Sequence, residues 1–342
     1  MGTMGVFGQP LIEFLGEGDL DKLLAAIAGA GVKIARRIAA GPLSGDLAEV
    51  VGANTGGEAQ KALDIFADET FAGILRDASV RGLASEERDA PVLLDPNGAF
   101  LVALDPLDGS SNIETNVTMG SIAAIYDAPQ RAGIEDKDFL EAGHKQRAAA
   151  LVLYGPYLEF VFTVGAGTHA ATLDPESGVF RMTRFNMVIP EGLPEFAINA
   201  SNARHWPEPV KSYVADCVMG ETGPRVKEYN MRWIASMVAD AYRVLVRGGC
   251  YLYPDDARVS YRQGRLRLVY EANPIAFLIE QAGGMATDGV NRILDIPPNA
   301  IHQRTPLIFG STDKVERIRS YYIEGHRSAS RAPLFGKRGL LR

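Results

Sequence analysis

The sequence contains little of what stabilises small secreted or zinc-binding proteins. It has only two cysteines, Cys217 and Cys250, which lie far apart and without a CxxC spacing. A disulfide scaffold and a zinc knuckle are therefore excluded. Neither a run of ~18 apolar residues nor a basic segment followed by an apolar stretch near Met1 is present. A cytoplasmic protein without membrane association is expected.

A basic surplus is also missing. Asp and Glu number 42 against 35 Lys and Arg, which gives a formal net charge of −7. Nucleic acids and anionic membranes attract proteins through a basic surplus, so neither is an expected partner. If an acidic protein of this kind binds an anionic ligand, it must gather a few cations at one place.

Apolar sequence is plentiful. Hydrophobic residues make up 46% of the 342 residues, enough to bury a large core in about two domains. Helical spacing predicts one helix that begins at Asp19 and ends at Gly41-Pro42, and a second from Glu58 to about Arg76. Short apolar runs separated by Gly, Pro and Asp predict a meandering sheet further along the chain. Its predicted strands are 100–104, 121–126, 148–154, 158–164 and 169–173.

A linker is predicted at residues 190–194, where two prolines and a glycine separate periodic segments. This position divides the chain into units 1–189 and 190–342. The second unit has predicted strands at 195–199, 250–253 and 266–270 and predicted helices at 210–219, 233–246 and 273–283. Strands separated by helices are typical of the α/β class, with a sheet in each unit and helices between and outside the sheets.

The strongest chemical signal is DPLDGSSN at residues 105–112, directly after a predicted strand. Asp105 and Asp108 can converge on one hard cation, with the Leu107 carbonyl as a neutral ligand between them. The Gly-Ser-Ser that follows offers small residues and backbone N–H groups to a phosphate. A DxxD-G-S sequence alone is more often an acidic turn with a helix cap, so it requires support from elsewhere in the chain.

That support comes from further acidic residues at the ends of predicted core elements. They are Glu86 and Glu87 after an apolar pair, Glu58 and Asp64 on the predicted second helix, and Glu271 at the end of a predicted strand. Carboxylates brought together would repel one another, whereas two or three Mg²⁺ ions would neutralise them. Because no His belongs to this set, Mg²⁺ or Mn²⁺ is favoured over zinc.

Longer segments resemble class I fructose-1,6-bisphosphatases. They are DPLDGSSNIETNVTMGSIAAIY at 105–126, GRLRLVYEANPIAFLIEQAGGMATDG at 264–289, IHQRTPLIFGS at 301–311, and Ser-Glu-Glu at 85–87. The DPLDGS core alone indicates the wider lithium-sensitive phosphatase superfamily, whereas YEANP with its basic lead-in indicates sugar bisphosphatases. The resemblance implies an α-β-α-β-α layered sandwich with two sheets, a homotetramer, a metal-binding and allosteric-type N-terminal domain, and a substrate-binding C-terminal domain. It implies hydrolysis of the 1-phosphate of fructose 1,6-bisphosphate by in-line attack of a metal-activated water.

The same resemblance implies a role for individual residues. The metal ligands would be Glu86, Asp105, Leu107 through its carbonyl, Asp108 and Glu271, with Glu58 at a third ion in place of the family's aspartate. Glu87 with Asp64 would take the proton from the attacking water. The 1-phosphate would lie on Asp108, Gly109, Ser110 and Ser111, with Arg267 nearby. The other phosphate would meet Asn199, Trp233, Tyr253 and Arg265, together with Arg232 of a neighbouring subunit.

Two residues of this second set depart from the family pattern. Arg265 stands where many members have lysine, and it can still pair with phosphate. Trp233 stands where many members have tyrosine, so one phosphate hydrogen bond is lost. Trp233 is alternatively a core aromatic on the predicted helix 233–246.

Inhibition by AMP is expected to be weak or absent. The Lys-Tyr pair and the arginine that hold the nucleotide in many members are replaced here by Ala99, Phe100 and Asp127, and 16–22 lacks the Thr-Gly-Glu run. Two cations are lost and an anion is gained, which disfavours a phosphate. Arg36 or Arg37 of the first helix could substitute for the missing cations.

Alternative functions remain open from the sequence. Sedoheptulose-1,7-bisphosphatase, or an enzyme that serves both sugars, would need almost the same metal site and phosphate pocket. A noncatalytic protein that only senses a phosphosugar would not need the acidic residues that activate water. Asp64, Glu86 and Glu87 are nevertheless all present. The residues do not distinguish a role in gluconeogenesis from one in carbon fixation.

Overall fold

The computed structural model describes residues 5–53, 59–131 and 133–324. Its helices are α1 (Leu11–Leu15), α2 (Asp19–Ala40), α3 (Ala62–Leu75), α4 (Glu208–Val218), α5 (Met237–Arg247), α6 (Asn273–Gln281) and α7 (Thr312–Glu324). In the part of the chain that is described, no helix is both long enough and apolar enough to cross a membrane. Glu58, the predicted ligand of a third ion, lies outside the described residues.

The first half of the chain forms a small β pair and a large sheet. The pair consists of β1 (Val50–Ala53) and β2 (Ala59–Lys61), which run antiparallel. The large sheet contains β3 (Val80–Ser85), β4 (Val92–Leu93), β5 (Phe100–Asp108), β6 (Met119–Asp127), β7 (Ala148–Tyr154), β8 (Leu158–Thr163), β9 (Thr168–Leu173) and β10 (Phe180–Arg184). Its spatial order is β10-β9-β8-β7-β6-β5-β3-β4, so β5 to β9 form the predicted meander, and β10, which was not predicted, extends it by one strand. Within this sheet β3 and β5 run parallel, whereas the other neighbours run antiparallel.

The second half forms a smaller sheet and another β pair. The strands are β11 (Glu195–Ile198), β12 (Asn230–Met231), β13 (Cys250–Tyr253), β14 (Leu266–Arg267), β15 (Met285–Thr287), β16 (Arg304–Thr305) and β17 (Leu307–Gly310). The smaller sheet has the order β12-β11-β13-β17-β15, and β14 pairs with β16. Tyr253, a predicted phosphate ligand, is therefore the last residue of the central strand of this sheet.

Buried side chains on both faces of the sheets arrange the elements in five layers. Successive residues of a strand point to opposite faces, and in β7 Val152 packs with α2 and α3 whereas Leu151 packs with α5 and α6. Ile275 of α6 belongs to the same buried cluster as Phe309 of β17, so α5 and α6 lie between the two sheets. Helices α4 and α7 cover the outer face of the smaller sheet. The α/β class and the α-β-α-β-α sandwich are confirmed.

Three predicted boundaries are wrong. The second helix begins at Ala62 rather than at Glu58, because the Lys61 N–H is bonded to the Asp64 carboxylate at the helix start. The strand predicted at 266–270 ends at Arg267, and a single wide π-helical turn, Leu268–Ala272, then leads into α6. A short, fully buried apolar run does not distinguish a strand from a helical turn. The helix predicted from residue 233 begins only at Met237.

Candidate active site and metal centre

The parallel pair of β3 and β5 brings two acidic residues to one edge of the large sheet. Ser85 lies opposite Leu104, and the N–H of Glu86 donates to the Leu104 carbonyl at 3.0 Å. Glu86 and Asp105 therefore lie side by side where the two strands end. The π-helical turn adds Glu271, and ligand oxygens of Glu86, Asp105 and Glu271 all lie within 4.8 Å of one another.

Burial and mutual repulsion make this cluster unfavourable as bare anions. Asp105 is 4% exposed and Glu271 is 5% exposed. Burial raises the pKa of Asp105 and of Glu271 well above the usual range, and the charges of Glu86 and Asp108 raise both further. A divalent cation would reverse both effects, because it replaces the lost solvation and neutralises the repulsion. The residues therefore fit a hard metal ion, as the sequence predicts.

An arginine accompanies the acidic cluster on the side of β14. Arg267 is 2% exposed, and its Nε lies 3.6 Å from Glu86 Oε1. Its backbone N–H donates to the Glu271 carboxylate. Arg267 thus touches two of the three clustered acids, close to where the 1-phosphate is predicted.

Asp108 lies beside the cluster and not in the tight group of three. Its Oδ2 accepts the Val238 N–H at 3.0 Å at the start of α5, and burial raises its pKa to about 6. The N–H of Leu107 donates to Asp105 Oδ1 at 3.0 Å, which fixes the turn between the two aspartates. Asp108 still adds to the negative field, since it raises the pKa of Glu271.

The predicted phosphate loop requires its glycine. Gly109 has φ of +83°, a left-handed conformation that strains other residues. A Cβ atom there would lie 3.3 Å from Ser236 Oγ. A short helical segment, Ser110–Thr115, follows, and the first N–H groups of such a segment have no acceptor within it. Ser110 and the exposed Ser111 thus stand at the mouth of the site.

The two predicted proton acceptors are both held by β2. Gln60 Nε2 donates to Glu87 Oε2 at 2.7 Å, and the N–H of Lys61 donates to Asp64 Oδ2 at 2.7 Å. Asp64 is 2% exposed, and burial raises its pKa to about 6 against the lowering effect of the Lys61 bond. Lys61 Nζ also donates to the Ser110 carbonyl at 3.2 Å. Sequence reasoning missed Gln60 and Lys61, whose only signal is that they directly precede the helix that carries Asp64.

The far end of the site is aromatic and basic. Trp233 is half-buried and its ring stacks on Tyr251 at 5.7 Å and contacts Tyr253 at 5.9 Å between ring centroids. Trp233 does not lie on a helix, because α5 begins four residues later, but its ring does pack against the buried core between the two sheets. Arg265 Nη1 donates to the Tyr253 hydroxyl at 3.1 Å and Nη2 to the Tyr261 hydroxyl at 3.2 Å. Tyr261 was not predicted from the sequence.

Asn199 and Arg232 border this far end on the smaller sheet. Asn199 Oδ1 accepts the Ser201 N–H at 3.1 Å and thereby caps the short helix Ala200–His205. The side chain of Arg232 is 51% exposed, with its Nε 3.8 Å from Glu195 Oε1. The Arg232 guanidinium is thus available at the surface.

The acidic and basic ends belong to one continuous site. Arg267, which touches Glu86, also donates through Nη1 to the Arg265 carbonyl at 3.3 Å. Burial raises the pKa of the Tyr253 phenol, and the charge of Glu271 raises it further against the opposing effect of Arg265. A ligand with a phosphate at each end would therefore meet the acids at one end and Arg265 at the other.

Comparison with known proteins covers nearly the whole chain. The profile of the fructose-1-6-bisphosphatase N-terminal domain matches residues 5–184, and that of the C-terminal domain matches residues 189–323. A fructose-1,6-bisphosphatase class 1 of Xanthobacter autotrophicus is 50% identical over 325 residues, which cover 94% of this chain and 87% of the relative. One of Paracoccus denitrificans is 50% identical, with 93% and 94% covered.

A solved structure agrees with these relatives. The holo form of Leishmania major fructose-1,6-bisphosphatase superposes with a TM-score of 0.87 at 33% identity, covering 93% of this chain and 99% of that one. Both domain profiles match, the sequence identity extends over both sheets, and the fold is shared. The chain belongs to the class 1 fructose-1,6-bisphosphatase family.

Proposed function

We propose that the chain hydrolyses fructose 1,6-bisphosphate to fructose 6-phosphate and inorganic phosphate by removing the phosphate on carbon 1. The observation that carries the proposal is the convergence of Glu86, Asp105 and Glu271 within 4.8 Å at the edge of the large sheet. A phosphate and a carboxylate cluster repel each other, so they share a site only when cations lie between them. Membership of the family, whose enzymes depend on divalent metals, supports this assignment.

We further propose Mg²⁺, with Mn²⁺ as a substitute, as the ion. Glu86, Asp105, the Leu107 carbonyl, Asp108 and Glu271 would hold two ions through oxygen ligands alone, which suits a hard cation. When bound, such ions supply positive charge that stabilises the phosphoryl and leaving oxygens and eases deprotonation of water. A third ion would depend on Glu58, which lies outside the described residues.

The proton of the attacking water is proposed to pass to Glu87, assisted by Asp64. Gln60 holds one oxygen of the Glu87 carboxylate, which fixes its orientation. Asp64 Oδ2 is occupied by the Lys61 N–H, whereas buried Oδ1 has no hydrogen-bond partner within the residues the structure describes. A fixed and partly desolvated carboxylate pair is suited to general-base catalysis. Gly109, Ser110, Ser111 and Arg267 would hold the 1-phosphate meanwhile.

The second phosphate is proposed to bind Asn199, Tyr253 and Arg265, with Trp233 as the wall of the pocket. The exposed guanidinium of Arg232 would reach the same phosphate in a neighbouring subunit, and we therefore propose a homotetramer. Light scattering of the active enzyme checks this, and a fully active monomer of 36.9 kDa would contradict it. The division into domains 1–189 and 190–342 and the cytoplasmic location stay predictions.

Phosphate release from fructose 1,6-bisphosphate by the full chain tests the proposed function. Release is expected with Mg²⁺ and is expected to stop with EDTA. Turnover of sedoheptulose 1,7-bisphosphate under the same conditions identifies the preferred sugar. Binding of the bisphosphate without phosphate release would instead indicate a sensor.

A further inference from the structure

The ring of Tyr261 contacts two arginine side chains. The Cζ atom of Arg265 is 4.2 Å from the centroid of the Tyr261 ring, and the Cζ atom of Arg258 is 4.6 Å from it. Each guanidinium is attracted to the ring, but two positive charges on one ring also repel each other. A carboxylate partner on one of the two guanidiniums would relieve that repulsion.

The two arginines have different partners. Arg258 Nε lies 3.0 Å from both carboxylate oxygens of Asp256, and its Nη2 donates to Asn202 Oδ1 at 3.0 Å. The guanidinium of Arg265 contacts tyrosine hydroxyls, and within the described residues no carboxylate lies at salt-bridge distance from it. The charge of Arg258 is therefore neutralised by Asp256, whereas Arg265 keeps its charge for an anionic ligand.

The backbone around Tyr261 holds the ring in place. The carbonyl of Tyr261 accepts the N–H of Asp256 at 3.2 Å and the N–H of Gly264 at 3.0 Å. Gly264 has φ of +82°, and a Cβ atom there would lie 2.2 Å from the backbone of Thr305, so the loop is packed directly against β16. The side chain that stacks on Arg265 thus comes from a fixed loop.

We infer that Tyr261 is a positioning and specificity-determining residue that orients Arg265 toward the phosphate at the end of the substrate away from the acidic cluster. This inference rests on the proposed function. The Tyr261 hydroxyl accepts from Arg265 Nη2, so its own proton can be donated to a phosphate oxygen. Tyr253 makes the equivalent bond with Nη1, so two hydroxyls and one guanidinium form a set of donors for one phosphate.

The pairing also explains why an arginine occupies position 265. A planar guanidinium can stack on the Tyr261 ring and reach two hydroxyls at once, whereas a lysine ammonium is a point charge that cannot do both. Arg265 and Tyr261 therefore function together. Many family members have lysine at position 265, and the arginine found here can bind the phosphate while it stacks on the Tyr261 ring.

Two substrates separate this role from a structural one. Fructose 1,6-bisphosphate and fructose 1-phosphate share the reacting phosphate, but only the first has a second phosphate. In the full chain with Mg²⁺, Tyr261→Leu is expected to raise KM for the bisphosphate by about 10-fold or more, with kcat nearly unchanged. Tyr261→Phe, which keeps the ring, is expected to have about a 3-fold effect. Neither variant should change KM for fructose 1-phosphate, and Tyr157→Phe, a change at an exposed tyrosine, serves as the control.

A double-mutant cycle and product binding complete the test. Arg265→Lys should weaken binding of fructose 6-phosphate strongly in the parent and little in the Tyr261→Leu background. Equal fructose 6-phosphate affinity in the parent and in Tyr261→Leu, measured by calorimetry, would overturn the inference whether or not hydrolysis occurs. Equal impairment on both substrates would also overturn it. A parent enzyme that releases phosphate from neither substrate would contradict the proposed function, and calorimetry would still decide the role of Tyr261.

Discussion

The two ends of the site are built in different ways. The acidic end joins Glu86, Asp105 and Glu271, which are far apart in sequence and meet only because β3 and β5 are parallel and a helical turn adjoins them. The basic end is mostly local, since Tyr253, Tyr261 and Arg265 lie within thirteen residues of one another. Long-range pairing gives the acidic end a fixed geometry, whereas ring stacking and hydroxyl contacts form the basic end.

This difference predicts a division of labour. The acidic end holds buried charges whose repulsion must be relieved by ions, so changes there should alter turnover and metal dependence. The basic end supplies hydrogen-bond donors on a half-buried surface, so changes there should alter affinity. Four experiments test whether the two ends differ in this way.

The largest effect is expected from Glu87→Gln. The amide is close in shape to the acid but cannot accept a proton from water, so kcat should fall by about 10²-fold or more, with KM little changed. Glu69→Gln, at an exposed position of α3, is the matched control and should leave kcat unchanged. Turnover of Glu87→Gln near that of the parent would show that Glu87 is not the base.

Asp105→Asn should act on the metal as well as on the rate. It removes one charge from the cluster of three, so half-saturation by Mg²⁺ should shift upward by about 10-fold or more. Titration of activity with Mg²⁺ measures this shift, and Asp77→Asn on an exposed turn is the control. An unchanged half-saturation value would remove Asp105 from the ligands.

A smaller effect is expected at Gln60, whose side-chain amide donates to the proposed base. Gln60→Leu removes the 2.7 Å bond to Glu87 and should lower kcat by about 3- to 10-fold without a change in KM. Gln60→Glu places a second negative charge beside Glu87 and should lower kcat further. If Gln60→Leu keeps the kcat of the parent, the contact does not position Glu87.

The smallest effect is expected from AMP. Segment 16–22 lacks the Thr-Gly-Glu run of the AMP-inhibited members. In this segment the Gly18 N–H donates to Asp21 Oδ2 at 3.1 Å, so it is already bonded to a carboxylate and not offered to a nucleotide phosphate. Asp127 lies opposite Phe100 in the large sheet, and its carboxylate is 3.3 Å from the Arg147 guanidinium. The charges of Asp127 and Arg147 cancel, so these two residues offer no net positive charge to a phosphate. Arg37 lies over the Phe66 ring, with its Cζ 5.6 Å from the centroid. Activity at limiting substrate should stay nearly constant as AMP rises, and cooperative inhibition at micromolar AMP would contradict this prediction.

The sequence predicts the elements of this molecule better than their contacts. Alternating or continuous apolar runs between turn residues correctly predicted the β5 to β9 meander but missed β10, and the acidic motif at the end of β5 correctly indicated where carboxylates gather. The parallel pairing of β3 with β5 left no local signal, because it is decided by the packing of the whole sheet. Gln60 and Tyr261 were missed for a related reason, since single polar contacts have no periodicity. The buried run 266–270 was misassigned because strands and helical turns are equally apolar in a core.

The π-helical turn at Leu268–Ala272 makes the site sensitive to chain length. A π turn contains one residue more than an ordinary α-helical turn, and such turns are frequent at functional sites. Loss of Ala272, the one residue between Glu271 and α6, would shorten the turn and rotate the Glu271 carboxylate by about 100° around the helix axis relative to α6. A relative with a one-residue deletion here would keep the fold and the glutamate, yet its carboxylate would leave the cluster with Glu86 and Asp105.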